Sequence, residues 1–181
     1  RVWGTLNENV PAMQNRLIVV DRIDFLDDAA TTSRNLSLFA TASASSTLTE
    51  GKKTFSPIFA IDGNDNSCWV EGADGSGEGE WLELEFPSEI RIDSIHVVNG
   101  FTDPTDLYEA NARPRVVELI FDSTSDEVEL EDSLSLQSID LADQNITTQT
   151  VRMRVKSVYE GTAYEDACLS EFQVWGYVIP E

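Results

Sequence analysis

Short stretches in which apolar and polar residues alternate, each closed off by turn-forming residues, dominate this chain and limit what it can fold into. In Trp81-Leu-Glu-Leu-Glu-Phe86, the apolar set Leu82, Leu84 and Phe86 falls on one face and Glu83 and Glu85 on the other, the two-residue period of a half-buried strand. Ile90 to Val98, Arg115 to Phe121, Val128 to Leu134, Val151 to Val158 and Phe172 to Val178 repeat the pattern. Between them lie Asp62-Gly63, Asp74-Gly75, Asn99-Gly100, Pro104 and Pro114, which supply turn geometry. Helix is confined to a turn or two near Asp103 to Glu109 and Pro57 to Ala60. Many short strands at this spacing predict an all-β chain built as an antiparallel sandwich or barrel. The 181 residues suffice for one such domain of about 150 residues plus an extension.

Asp and Glu number 33 against 12 Lys and Arg, a formal net charge of −21. Nucleic-acid binding needs clustered cations, so nucleic acid is excluded as a partner, as is an anionic membrane face. No run approaches the roughly 18 apolar residues of a membrane span, which argues against membrane insertion. Arg1-Val-Trp-Gly4 carries no signal-peptide pattern, and the sequence reads as an excised piece of a larger protein. One local feature opposes the acidic trend. Arg152, Arg154 and Lys156 share a strand face opposite Val151, Met153 and Val155; with Arg113 and Arg115 they attract an acidic partner or, the more ordinary use, neutralise neighbouring acids.

Residues 1–34 differ in kind. Arg16-Leu-Ile-Val-Val-Asp-Arg-Ile-Asp-Phe-Leu26 is a dense apolar strand or strand pair, followed by the polar linker 27–34. Val2-Trp-Gly4 echoes Val174-Trp-Gly176, by chance, as a fragment of an upstream copy, or as a strand that docks on the domain. The division is therefore 1–34, extension or part of a neighbouring domain, and 35–181, the β domain.

Catalytic motifs are weak. Gly72 to Gly79 holds four glycines but lacks the Lys-Ser/Thr ending of a phosphate loop, and Asp74 and Glu78 would repel phosphate; it reads as a loop bordering a ligand cleft. No Ser-His-Asp or metal-hydrolase motif accompanies the many acids. The single histidine, His96, lies opposite Ile95 and Val97, on the outer face of its strand, and Cys68, Cys168 and His96 lack zinc-ligand spacing. The chain is not read as an enzyme.

Ala40-Thr-Ala-Ser-Ala-Ser-Ser46, Phe55-Ser-Pro-Ile-Phe-Ala-Ile-Asp-Gly-Asn64 and Ser67-Cys-Trp69 resemble the opening of discoidin-like (F5/8 type C) and family 32 carbohydrate-binding modules. Cys168-Leu-Ser-Glu-Phe-Gln-Val-Trp-Gly176 resembles their final strand. Six further blocks narrow the resemblance to a bacterial branch, the NADase-type glycan-binding or translocation domains: Trp69-Val-Glu-Gly72, Gly75-Ser-Gly-Glu-Gly-Glu-Trp81, Asn99-Gly-Phe101, Leu107-Tyr108 with Asn111-Ala-Arg-Pro114, Val158-Tyr-Glu-Gly161 and Tyr164-Glu-Asp166. About residues 36–178 are covered. The resemblance implies a galactose-binding-like jelly-roll β-sandwich with a structural calcium ion, used for binding and not for chemistry.

Asp62, Asp65 and Ser67 pack oxygens into one tight turn, as a hard cation requires. An EF-hand counted from Asp62 fails, with Ser67 at the glycine position and Ala73 in place of the closing Glu. By resemblance the remaining calcium ligands are the Glu171 carboxylate and the carbonyls of Cys168 and Phe59. The same fold would bring Cys68 and Cys168 close, either as a disulfide, which implies an oxidising compartment, or as two buried free thiols. On the family's signature loops, Glu71, Asn99, Phe101, Tyr108, Asn111 and Arg113 are the candidate ligand-binding residues, offering aromatic faces and paired polar groups to a sugar; Trp69 and Trp81 are assigned to packing. The family's galactose-binding histidine does not align with His96, so galactose specificity does not carry over. The implied function is a non-catalytic glycan-binding module of a larger secreted or surface bacterial protein, extracellular, cell-surface or periplasmic. It would be monomeric, with a glycan or glycoprotein and the parent's other domains as partners. The other reading is a protein-interaction or translocation module of the same fold that binds no sugar.

Overall fold

The computed structural model of the chain describes residues 32–180; the apolar run from Arg16 to Leu26 and the Val2-Trp-Gly4 echo lie outside them. Eleven strands follow in order: β1 (Arg34–Asn35), β2 (Thr41–Ala44), β3 (Thr49–Glu50), β4 (Lys53–Thr54), β5 (Trp69–Val70), β6 (Trp81–Asn99), β7 (Arg113–Phe121), β8 (Ser125–Glu129), β9 (Gln137–Asp140), β10 (Thr147–Tyr159) and β11 (Cys168–Val178). Helix α1 (Asp106–Ala110) and 3-10 turns at Ser37–Phe39, Pro57–Ala60 and Ala142–Gln144 complete the fold. Every ladder between these strands is antiparallel, and the fold is the all-β jelly-roll sandwich expected of the sequence.

One strand does most to shape it. Trp81 to Phe86 and Ile90 to Val98, two strands by alternation, form the single strand β6. Its first half pairs with β2 and β10, its second half with β11 and β9. Between them the register to β10 jumps from Ile90↔Thr148 to Glu85↔Thr150, where Pro87, which has no N–H to donate, lets the strand bend from one sheet into the other. Beyond the bend the buried series Leu82, Leu84, Phe86, Ile90, Ile92 changes phase to Ile95 and Val97. The cause is a bulge at Asp93, opposite the step from Trp175 to Gly176. The sheets are thus β2-β6-β10-β7-β8 and, through the same strand, β11-β6-β9 with β1 and β5 on the outside of β11.

The facing sides supply one core: Leu82, Leu84, Val117, Leu119, Val151 and Met153 from the first sheet meet Ile92, Ile95, Val97, Phe172 and Val174 from the second. Each such side chain, fully buried, contributes about 1.5–3 kcal/mol relative to exposure. A smaller cluster of Phe55, Cys68, Val70, Phe101 and Cys168 lies under the loops at one end. Of the expected strands, Val128 to Leu134 is cut short, since pairing with β7 ends at Glu129 and the chain turns away at Leu130, whose N–H is taken by the Arg115 carbonyl. Arg34, assigned to the extension, already pairs with Gly176 of β11.

Candidate functional site

Three loops meet where β6 ends and β11 begins, and Ala167 is their common point. It bridges Ala112, its carbonyl accepts the Glu71 N–H at 3.1 Å and its own N–H donates to Glu71 Oε1 at 3.2 Å. Gly77 rests against it in a left-handed conformation (φ 78°), where an added Cβ would stand 2.8 Å from the Ala167 methyl. That contact, and not a phosphate, explains this glycine of the 72–79 loop. The 160–167 loop is tied to α1 by the N–H groups of Thr162, Ala163 and Tyr164, donated to the carbonyls of Glu109 and Ala110.

All six candidate ligand residues lie at this end, and all six are buried. Arg113 forks onto Asp132, Nε to Oδ1 at 2.8 Å and Nη2 to Oδ2 at 2.9 Å, while Nη1 donates to the carbonyls of Tyr108, Asn111 and Glu160. Tyr108 donates its hydroxyl to the same Asp132, and the guanidinium sits 5.0 Å from the Tyr108 ring centre. Hydrogen bonding to Arg113 holds the Asp132 carboxyl below its usual range; burial raises the Tyr108 phenol. Asn111 donates to the Leu107 carbonyl and Asn99 to that of Pro114. Phe101 packs edge-on against Phe55 at 5.9 Å, with Lys53 Nζ 4.4 Å from the Phe55 ring centre. Glu71 accepts from the Ala73 and Ala167 N–H groups, and burial raises its pKa against those two bonds. The six brace the loops from beneath. Sequence reasoning missed Asp132, which lies 19 positions from Arg113, a separation that carries no signal. It also counted Tyr164 only as part of a motif, whereas the residue is 52% exposed on the pinned 160–167 loop.

The proposed calcium ligands also gather. In the 62–67 turn, Asp62 accepts from the Asn64 N–H and the Ser67 hydroxyl, and the Asp65 carbonyl accepts from Thr102 Oγ1, which lies 3.3 Å from Ser170 Oγ. Glu171 stands beside this turn, fully buried, and its Oε1 has no hydrogen-bond partner. Burial and the neighbouring Asp62 and Asp65 raise its pKa, against the Gln173 amide and the Asn64 N–H. An orphaned buried carboxylate oxygen facing two more carboxylates is what a divalent cation would satisfy, so the donor set fits calcium. Among the described residues no three His, Cys, Asp or Glu side chains converge tightly enough to hold an ion by themselves, so in a calcium site hydroxyl and carbonyl oxygens would have to share the coordination. Of the carbonyls, that of Cys168 already accepts the Gly100 N–H at 3.2 Å.

Cys68 and Cys168 join one cluster but stand as free, buried thiols, so the disulfide alternative is not what the structure holds. The β5–β11 register explains why: Cys168 faces Val70 and Leu169 faces Trp69, which makes Cys68 the diagonal and not the direct neighbour of Cys168. Diagonal Cβ atoms stand several ångströms beyond the roughly 3.8 Å a disulfide needs. Burial lifts Cys68 to about 12 and Cys168 well above the usual thiol range.

Three arginines of the basic set are already paired: Arg152 with Glu83 at 2.7 Å, Arg154 with Glu118 at 2.6 Å, Arg115 with Glu129 at 2.9 Å. Trp69 is buried as packing requires, whereas Trp81 is half-buried beneath the Arg152 guanidinium, 4.2 Å from its ring centre. His96 stacks on Trp175 at 5.1 Å on the outer face of β6, and burial lowers its pKa.

A two-layer jelly roll with its motif blocks knitted at one loop end defines a discoidin-like (F5/8 type C) module. The family model described as the NAD glycohydrolase translocation F5/8 type C domain matches residues 34–175, and the chain belongs to that family. Nuclear receptor 2C2-associated protein of Danio rerio is 26% identical over 120 residues, 65% of this chain and 76% of its own length. Among solved structures, the family 32 module of Clostridium perfringens NanJ in complex with galactose superposes with a TM-score of 0.58 at 20% identity, over 80% of this chain and 99% of that one. A fucose-binding module of Streptococcus pneumoniae gives 0.57 at 20% identity, over 80% and 98%. These likenesses establish the fold.

Proposed function

We propose that the chain is a non-catalytic glycan-binding module, stabilised by a structural calcium ion, of a larger secreted or surface-displayed bacterial protein. The observation that carries this reading is Tyr164: among the described residues it is the one aromatic side chain left exposed at the loop end, on a segment held by backbone bonds to α1. A rigid, exposed aromatic face suits the C–H side of a sugar ring at little entropic cost. The fold neighbours, one in complex with galactose and one described as a fucose-binding module, support the class of ligand. A glycan array followed by calorimetry tests it. Millimolar or tighter binding to one glycan class is expected, weakened at least tenfold in Tyr164→Ala with the melting temperature unchanged; no sugar bound at millimolar concentration overturns the reading.

One observation favours a second reading, a protein-interaction or translocation module without a sugar site. The polar atoms of Arg113, Tyr108 and Asn111 are directed to protein partners, which leaves few groups to satisfy sugar hydroxyls.

A further inference from the structure

Besides Tyr164, five large apolar side chains stand exposed among the described residues, and they divide between the two open flanks of the sandwich. Leu134 and Leu136 lie between the edge strands β8 and β9. Leu38 (57% exposed), Phe39 (53%) and Ile58 (47%) belong to the 3-10 turns 37–39 and 57–60. Both turns pack on β11, the first also packs on β6 and leads directly into β2, and the second packs on β2, so all three residues belong to elements of the β2/β11 flank. That flank is also where the chain arrives, because β1, beside Trp175 and Gly176, is two residues upstream of the first turn.

We infer that the segment Leu17 to Leu26 of the same chain docks on the flank formed by Leu38, Phe39 and Ile58. Seven of its ten residues are apolar, namely Leu17, Ile18, Val19, Val20, Ile23, Phe25 and Leu26, a density that needs cover from water. The seven residues 27–33 that join it to β1 are polar or small and span at most about 23–25 Å when extended, enough to turn back over a flank that begins a few residues later. Tethering so close to the patch makes the contact intramolecular, with an effective concentration in the millimolar range. The other flank lies across β11 and β6 from the tether and is the less accessible choice. The docking is compatible with either reading of the loop end, because it uses a different part of the surface.

Hydrogen exchange on the full chain reads it. Amides of 17–26 are expected to exchange at least tenfold slower than an unstructured peptide. Leu38→Asp combined with Phe39→Asp removes that protection while β6 and β11 stay protected, and Leu134→Asp with Leu136→Asp on the other flank leaves it intact. If the first pair fails to fold, Ile18→Asp must speed exchange at residues 38–40 and 58–60, a response that a segment folded on its own would not give. The inference is overturned by unprotected 17–26 amides, by protection that survives the first pair, or by protection lost in the second. Protection that grows with concentration alongside a sedimenting dimer overturns it too, by seating the segment on another copy.

Discussion

Arg113 commits all three guanidinium nitrogens inward, two to Asp132 and one to backbone carbonyls. Its side chain is 7% exposed against 39% for that of Asp132, so the pair is half in water. Breaking a fully buried pair by removing one partner costs about 3–5 kcal/mol; solvent at Asp132 screens part of this, and Arg113→Ala is expected to cost about 2–4 kcal/mol in urea unfolding at pH 7. Arg113→Lys recovers little, since an ammonium cannot fork onto a carboxylate and reach three carbonyls at once. The sign of the pH dependence follows from Asp132. Arg113 depresses its folded pKa below the ordinary 3.8, so the pair's contribution is complete above that value and lost as pH falls through the depressed one. The gap between wild type and Arg113→Ala should therefore narrow below about pH 4; a gap constant down to pH 2 would show that Arg113 acts through packing alone.

At the scale of elements, the 160–167 loop depends on a residue with no side chain. A Cβ on Gly161 would lie 2.2 Å from the Tyr164 carbonyl oxygen and 2.5 Å from that of Ala110, both backbone atoms with nowhere to go. Gly161→Ala is expected to free the loop from α1, speeding amide exchange at Ala163 and Tyr164 and costing about 1–3 kcal/mol, with β6 and β10 amides unchanged; uniform loss of protection would mean that the loop and the sheets unfold as one unit. The elements themselves were unevenly legible in the sequence. Alternation located β7, β10 and both halves of β6 because each has one face in the core. It could not find β1 or β5, two residues each and too short for a period. Nor did it single out β9, whose Gln137-Ser-Ile-Asp140 is polar except for Ile139. The site was legible as a gathering of loops, since the six motif residues do meet, but which way a loop side chain points depends on partners far along the chain, as Asp132 shows for Arg113. Glu83 and Glu118, by contrast, face Arg152 and Arg154 across strand pairs, where alternation alone brings opposite charges together.

For the whole molecule the decisive question is how the 62–67 turn and the last strand are held together in a chain of net charge −21. Glu171 on β11 presents a buried oxygen without a partner to a turn that carries Asp62 and Asp65. Without a cation this arrangement opposes folding at neutral pH: the folded pKa of Glu171 lies above its ordinary 4.5, so its charged form is disfavoured, and the penalty is relieved as pH falls toward that value. The proposed calcium ion, bound there, would replace the penalty with a cross-link between the 62–67 turn and the last strand. At a hundredfold excess over its dissociation constant it adds about 2.7 kcal/mol, which for a domain of this size raises the melting temperature by roughly 5–10 °C. EDTA should lower the melting temperature of the full chain by that amount and calcium should restore it, with magnesium, which demands tighter octahedral geometry, substituting poorly. Glu171→Gln separates this account from a general salt effect. In EDTA at pH 7 the variant should melt higher than wild type, because it removes the buried charge, and in calcium it should melt lower, because the ion has lost its buried carboxylate. A melting temperature indifferent to EDTA in both proteins would leave Glu171 as an unrelieved buried charge and remove the ion from the fold.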